Sequence, residues 1–562
     1  MNEPFIWTWA LSITPLAPIH VGAGEDFDPT NYVIDGQALY SFSPEAALRA
    51  LPAAERKSLL QTVNRPPDVE MIKQVQAFFH RNAERLIPGA QRVIPVLPRI
   101  AEEYRQRVGR TAQREESGRE IINRLRIERT FADPATQRPI LPGSSLKGAI
   151  RTALLDKVND GNRLTRDEKD MIPHERNRVL QQRLFEYRCF EQDPMRLVQL
   201  ADARDQSPVN HYATEIRYAV NRKRKEVLKN GREVASQAEN LRQVLECVPP
   251  LRPHAFSGQL TLQDLGGFTG DKTPVANLRW TIEELAAACN DFYRPIFENE
   301  CRELNGRSFL DTNWHEAVTQ VLDGKTPALN KGRAFLVRIG RHSGAESVTL
   351  NGVRDIKIKG RGNNFEHLPK TKTYWLAAND IQDRRYLVPF GWILVEATPA
   401  GESPEPWPEA LAAGTRMFAK GAEQWQAEVA QRREELTRSL EAEQKQETLR
   451  RAAEAARQAE EEQARHEQEA REAELAKLSE EARTIAQLRD RLAADQAAGR
   501  KEPGGQLAAD LAAAIRGAGE WPQTDRLALA ALAEDIYRHI GWGSGKKKRE
   551  KRQRIEALKQ DA

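Results

Sequence analysis

The sequence predicts an α+β protein carrying a long helical extension on its C-terminal side. Three observations carry that prediction. The chain opens with strand-like alternation, mixes strand-like and helical segments to about residue 400 without a regular βαβ rhythm, and holds neither Gly nor Pro from 422 to 498. At 562 residues it is too long for one ordinary core, so two or three domains are expected.

Taken in order, Phe5, Trp7, Trp9, Leu11 and Ile13 alternate with Thr8, Ala10, Ser12 and Thr14, the period of a half-buried strand. Pro15 and Pro18 close it, and a loop with Gly22 and Gly24 follows. Residues 32–34 and 38–40 flank Asp35-Gly36 as a hairpin, and Ser43 with Pro44 reads as a helix cap and first helical residue. From about 44 to 125 the pattern is mostly helical and rich in arginine. A short strand at 140–141 runs into Pro142-Gly143-Ser144-Ser145-Leu146-Lys147-Gly148, and a helix is predicted onward to about 158. Between 166 and 400, helices at roughly 176–190 and 281–304 alternate with strands at 258–262, 335–339, 353–358 and 392–395. Pro404, Pro406 and Pro408 mark a boundary. Taken as one helix, the Ala/Glu/Gln/Arg-rich stretch 422–498 would span on the order of 115 Å at 1.5 Å per residue. Only Leu475, Leu478, Ala482, Ile485 and Leu492 line up as a seam, so it reads as a solvated rod. A helical module at about 505–540 follows, then Trp542 and a basic tail.

Composition narrows the function. Basic residues (85) and acidic residues (81) nearly cancel, so nucleic-acid contact must come from local clusters. Cys189, Cys247, Cys289 and Cys301 show no metal-ligand spacing, so neither a zinc site nor a disulfide framework is expected, nor any cofactor. There is no signal-peptide pattern and no run approaching 18 apolar residues, which predicts a cytoplasmic protein without membrane contact.

The segment 141–151 is the strongest local signal. Ser144 and Ser145 can cap a helix whose first N–H groups then offer an anion site. Lys147 and Arg151, four residues apart, lie on one face and can both reach a phosphate there; an ordinary capped helix is the bland reading. The Lys-Gly order is not that of a P-loop, so nucleotide hydrolysis is not expected. Arg338-Ile339-Gly340-Arg341-His342-Ser343-Gly344 is a second glycine loop. Gly340 and Gly344 would admit a sugar–phosphate closely, with Arg341 and His342 as contacts, although alone it also reads as a hairpin connection. Gly22 and Gly24 are read in the same way. His20 could serve as a general base, but no second catalytic group accompanies it, and a packed histidine is the preferred reading. Asp26, Asp28 and Asp35 suit turns better than catalysis. Arg124, Arg126 and Arg129, and the tail Lys546, Lys547, Lys548 and Arg549, are secondary RNA contacts or else solvated charge.

The string from Ile140 to Leu154 resembles the signature of the RAMP superfamily. The opening Thr14 to Gly24 fits the same pattern. Leu200-Ala201-Asp202-Ala203-Arg204, His254 to Gly258, Lys372 to Leu376 and Pro389 to Trp392 narrow the resemblance to the fifth subunits of the Csm complex, the type III-A CRISPR effector. It spans roughly 6–396 and implies two RRM-like (ferredoxin-like) halves, 1–165 with the basic helical insertion at about 44–125, and 166–400. A charged linker helix, 401–500, and a small module with a basic tail, 501–562, lie outside it. The resemblance implies a non-catalytic subunit that binds the guide RNA (crRNA), caps its 3′ end and supports its maturation in antiviral defence. Implied partners are crRNA, the adjacent backbone RAMP subunit, the small subunits, target RNA indirectly and host nucleases. Gly22, Gly24, Gly143, Ser144, Ser145, Lys147, Arg151, Gly340, Arg341, His342 and Gly344 form the expected RNA-binding set. The alternatives are a RAMP-fold endoribonuclease cutting repeat or target RNA, and a subunit that acts chiefly through protein contacts of its long helix.

Overall fold

The computed structural model describes residues 5–66, 68–114, 120–122, 124–208, 212–226, 228–229, 232–233, 241–359, 364–404 and 406–560. The chain divides into two compact units, 1–440 and 441–562. Helices and largely antiparallel sheets mix in the first, as an α+β reading requires.

Two sheets dominate the first unit. In one, the opening strand Ile6–Pro15 lies between Phe256–Gln263 and Trp392–Pro399, antiparallel to both. Ala334–Arg338 extends one side, and Val198–Leu200, Ala203–Asp205 and Ile140–Leu141 extend the other. Alternation works at the inner end of the opening strand, where Leu11 and Ile13 are buried on either side of half-covered Ser12. At its outer end Phe5 and Trp7 remain exposed. The second sheet runs in the order Gly22–Phe27, Ile127–Thr130, Arg242–Cys247, Glu215–Lys223, Thr373–Ala378, Val388–Pro389. Only the pair Ile127–Thr130 and Arg242–Cys247 is parallel. One apolar core serves both sheets and the helices Gly143–Asn159 and Ile282–Gly306. The Tyr293 hydroxyl of the latter helix donates to the Ala149 carbonyl of the former at 3.0 Å.

Local signals explain several boundaries. Ser43 Oγ accepts the Ala46 N–H and Pro44 holds the first helical position, as expected. In the hairpin, Asp35 pairs with Ala38, so the turn residues are Gly36 and Gln37, one step beyond the expected pair. Gly36 supplies the positive φ of 58° that this turn needs. The insertion builds a smaller core of its own around Val33, Tyr40, Phe42, Phe78 and Phe79. Arg92 and Glu246, both buried, tie that insertion to the second sheet. The Glu246 carboxylate also accepts the Thr214 hydroxyl at 2.8 Å and the Thr130 N–H at 3.1 Å, so both of its buried oxygens are hydrogen-bonded.

The long helix Glu409–Ala476 is not solvated throughout. The Trp425 indole N–H donates to the Gln37 carbonyl, Arg432 pairs with Asp35 and Glu84, and Leu436 is buried in the insertion core. Nor does the helix run on to residue 498 as one rod. It stops at Ala476, and Glu480–Ala497 starts afresh with Ser479 Oγ accepting the Ala482 N–H, because a capping serine followed by two glutamates favours a new start.

In the second unit the exposed turns carry i,i+4 pairs such as Arg451–Glu447 and Arg457–Glu461. Leu478 is exposed rather than part of a seam, whereas Ile485, Leu488 and Leu492 enter a core with Leu507, Leu511, Leu529, Ile536 and Ile540. The expected basic tail is a helix, Lys546–Lys559, whose Ile555 and Leu558 join that core. Among the described residues no helix is long and apolar enough to cross a membrane.

Candidate nucleic-acid interface

The glycine-rich string ends strand Ile140–Leu141 and starts helix Gly143–Asn159. Pro142 takes the N-cap position and makes no side-chain cap bond, so Ser144 and Ser145 are first-turn residues and not the caps expected. The cap comes from Asp202, whose Oδ1 accepts the Gly143 N–H at 2.8 Å. Gly143 is glycine for a packing reason: a Cβ there would collide with the backbone of Leu200 and Ala201. Lys147 is half-buried, and burial lowers its ammonium pKa, with Asp193 opposing and Arg151 adding to the effect. Arg151 is engaged elsewhere. Its guanidinium pairs with both oxygens of Asp193 at 3.0 and 2.9 Å, donates to Gln181 at 2.9 Å and lies over the Phe185 ring. Of the two cations on this face, Lys147 is the one without an ion pair among the described residues.

Three loops far apart in sequence line up on consecutive backbone hydrogen bonds. The Arg341 N–H donates to the His20 carbonyl at 2.8 Å, the Phe131 N–H to the Val21 carbonyl at 2.6 Å, and the Ile140 N–H to the Phe131 carbonyl at 3.0 Å. Residues 340–344 are thereby bonded to 20–24, and 20–24 is linked through Phe131 to 139–143, giving one edge of four segments. Gly340, at φ 81°, sits so close to the His20 carbonyl that a Cβ would strike it. Gly24, at φ 75°, faces open space, and Gly22 is exposed. Gly344, at φ 73°, closes the second loop beside buried Arg338, which pairs with Glu300 at 3.1 Å.

Arg341 points outward along this edge and pairs with Glu128 of the second sheet. His342 turns inward: its ring stacks on Trp375 with centroids 4.7 Å apart, and its Nε2 lies 2.8 Å from Gln243 Oε1. Burial, reinforced by Arg341, His20 and Arg338, pushes its pKa down to about 3. A neutral, stacked imidazole offers shape and one hydrogen bond, not charge.

His20 is fully buried, with Nδ1–H donating to the Glu246 carbonyl at 2.7 Å and its pKa lowered chiefly by burial. Arg126 pairs with Asp26 at 3.1 Å and Asp28 at 3.6 Å, and Arg129 pairs with Glu25 at 2.8 Å over the Phe27 ring. Arg124 lies exposed beside a cavity of about 500 Å³ that Tyr32, Tyr104, Arg107 and Arg242 also line. Lys546, Lys547, Lys548 and Arg549 belong to the second unit. Sequence reasoning assigned no part to Asp202, Glu128, Gln243 or Trp375. Asp202 and Trp375 stand inside strings that carried the resemblance, which was the available signal.

Over 180 residues the chain is 28% identical to the CRISPR system Cms protein Csm5 of Streptococcus thermophilus, a stretch covering 30% of this chain and 45% of that protein. Over 161 residues it is 26% identical to the protein of the same name from Mycobacterium tuberculosis, covering 27% of this chain and 40% of the relative. The matched part is thus less than half the length of either relative. A chain of a Csm–crRNA–target RNA ternary complex superposes with a TM-score of 0.39 at 17% identity, over 69% of this chain and 100% of that one. The crystal structure of T. onnurineus Csm5 gives 0.36 at 16%, over 68% and 99%. The sequence pattern of the RAMP superfamily matches residues 12–323. With more than half of its length inside that match, which takes in the glycine-rich string, this chain belongs to the RAMP superfamily.

Proposed function

We propose that this chain is a non-catalytic, crRNA-binding subunit of a type III-A CRISPR interference complex, capping the 3′ end of the guide and supporting its maturation. One observation carries the reading: the glycine loops at 20–24 and 340–344 are joined by a backbone hydrogen bond and linked through Phe131 to the glycine-rich string, with Arg341 outward and Lys147 unpaired on the adjoining helix. Such an edge suits close approach of a sugar–phosphate backbone and reads shape rather than bases. Gly22, Gly24, Ser144, Ser145, Lys147, Gly340, Arg341 and Gly344 make up the surface, with buried Gly143 packing the string's turn beneath it and His342 positioning its loop. Arg151 acts through Asp193 by fixing the helix. The likeness of a segment to Csm5 proteins supports the complex and its partners: crRNA, the adjacent backbone subunit, the small subunits and, indirectly, target RNA. Recruited host nucleases would trim the guide. Two RRM-like halves, near 1–165 and 166–400, are the architecture this role uses.

The test is the salt dependence of guide-RNA binding by a folded Lys147→Ala/Arg341→Ala variant. Each lost phosphate contact lowers the slope of log K against log salt by roughly 0.7 on single strands, so a fall of about 1.4 is expected. An unchanged slope rules the site out. Full burial of His20 argues against its use as a base. RNA cleavage by the purified chain that His20→Ala or Asp28→Ala abolishes would replace this reading with the endoribonuclease one.

A further inference from the structure

We propose that the basic helix Lys546–Lys559 is a second nucleic-acid-binding surface, one that grips phosphodiester backbone without regard to base sequence. It lies in the second unit, beyond the reach of the RAMP match at 12–323, and stands independently of the glycine-loop site.

Charge is the first ground. The helix holds Lys546, Lys547, Lys548, Arg549, Lys551, Arg552, Arg554 and Lys559 against Glu550 and Glu556 alone, in a chain whose total charge almost cancels. Elsewhere in this unit many cations are matched, as Arg471 is with Asp490, Arg500 with Asp495 and Arg538 with Asp535, and no other four in a row stand unmatched among the described residues. Lys546, Lys547, Lys548, Arg549 and Arg554 are exposed and form no ion pair among the described residues. Four adjacent cations left unmatched repel one another, and a polyanion would relieve that repulsion by releasing its own counterions.

Rigid presentation is the second. Gly541, Gly543 and Gly545, all at positive φ, reverse the chain after the helix Gln523–Ile540, and Ile555 and Leu558 plug into the unit's core. Lys559 is tied to Glu534 at 2.8 Å, Lys551 donates to the Gly541 carbonyl and lies over the Tyr537 ring, and Arg552 lies over Trp542. The far end of the helix is therefore fixed while its basic turns stand in solvent. A loose tail would lose more entropy on binding than this docked array does.

The same packing selects the partner. A helix that binds a lipid surface needs a free apolar face, and here Ile555 and Leu558 are spent on the core. Consecutive point charges without an apolar anchor match a uniform line of phosphates better than the mixed surface of an acidic protein.

The experiment uses the full chain carrying Lys147→Ala/Arg341→Ala, so that the first site is silent, with and without Lys546→Ala, Lys547→Ala, Lys548→Ala and Arg549→Ala together. Probes are fluorescein-labelled mixed-sequence RNA and duplex DNA of about 20 nucleotides, titrated between about 50 and 200 mM salt. The four added alanines should lower the single-strand slope by about 2–3 and weaken binding at least ~10-fold at the lowest salt. A four-arginine variant at the same positions should bind like the parent. The tighter probe identifies whether single or double strands are the natural ligand. Equal slopes in the parent and a folded four-alanine chain overturn the proposal, as does loss of binding in the four-arginine chain. Selective loss of binding to anionic lipid vesicles, with nucleic-acid binding unchanged, overturns it in favour of a membrane.

Discussion

Gly340→Ala asks whether the loops at 20–24 and 340–344 are one mechanical piece. An L residue held at φ 81° costs about 1–2 kcal/mol in left-handed strain. The new Cβ also meets the His20 carbonyl oxygen, a backbone atom that cannot swing aside. The carbonyl must retreat, and the 2.8 Å bond from the Arg341 N–H retreats with it, a further ~0.5–1.5 kcal/mol. A loss of about 2–3 kcal/mol follows, or a fall of about 2–3 °C in the melting temperature of a unit this large. Two controls separate the contributions. Gly24→Ala carries the φ cost alone, since nothing lies within 4 Å of its Cβ, and Gly22→Ala, with neither positive φ nor a close neighbour, should stay within about 0.5 kcal/mol. Urea and calorimetric unfolding of the three full-length variants, with RNA anisotropy in parallel, should rank both stability and affinity losses as Gly22 < Gly24 < Gly340. If Gly340→Ala is no costlier than Gly24→Ala, the loops are not coupled and the continuous edge is wrong.

The remaining predictions concern the scaffold. Glu246→Ala strands the buried Arg92 guanidinium and should cost about 3–5 kcal/mol in urea unfolding, with Glu246→Gln losing less; a neutral Glu246→Ala would deny the pair any structural weight. His342 takes up its proton at about 3 in the fold but near 6.5 when unfolded, so the unfolded chain binds the extra proton between those values. Stability from this ring is therefore complete above 6.5 and is lost as pH falls toward 3, by up to ~1.4 kcal/mol per unit. His342→Gln should flatten the pH 6.5–4 slope relative to the parent, and an identical slope refutes the assignment. A chain ending at 400 lacks Trp425, Arg432 and Leu436 and should melt lower than one ending at 440; equal melting would show that the helix only rests on the insertion core.

What was legible in the sequence was local. Alternation at Leu11 and Ile13, the Ser43-Pro44 helix start and the glycine-rich string each declare themselves within a few residues. The candidate site was legible as parts and not as an assembly. Asp202 caps a helix 59 residues before it, and Arg341 finds Glu128 across 213 residues, separations that no local pattern encodes. Ser144 and Ser145 suit caps because serine prefers that role, but Pro142 already fixes the extended N-cap two residues before Ser144. Two further local signals stand in the sequence. Ser479 followed by Glu480 and Glu481 marks a new helix start, and Ile555 with Leu558, three apart, marks a docked helix within a run of charge.

The opening strand has an awkward history on the ribosome. Ile6–Pro15 is made long before its neighbours in the sheet, Phe256–Gln263 and Trp392–Pro399. At about 5–20 residues per second, the roughly 380 residues after Pro15 take on the order of 20–80 s to appear. Until Phe256–Gln263 emerges, Trp7, Trp9, Leu11 and Ile13 form an apolar ribbon with both edges vacant, and one edge stays open for the rest of that interval, the kind of segment that chaperones shield and that other chains capture. The middle of the sheet closes last. Nascent chains stalled before residue 392 should consequently be held by chaperones or aggregate, while those released past 399 can seal the sheet in one step.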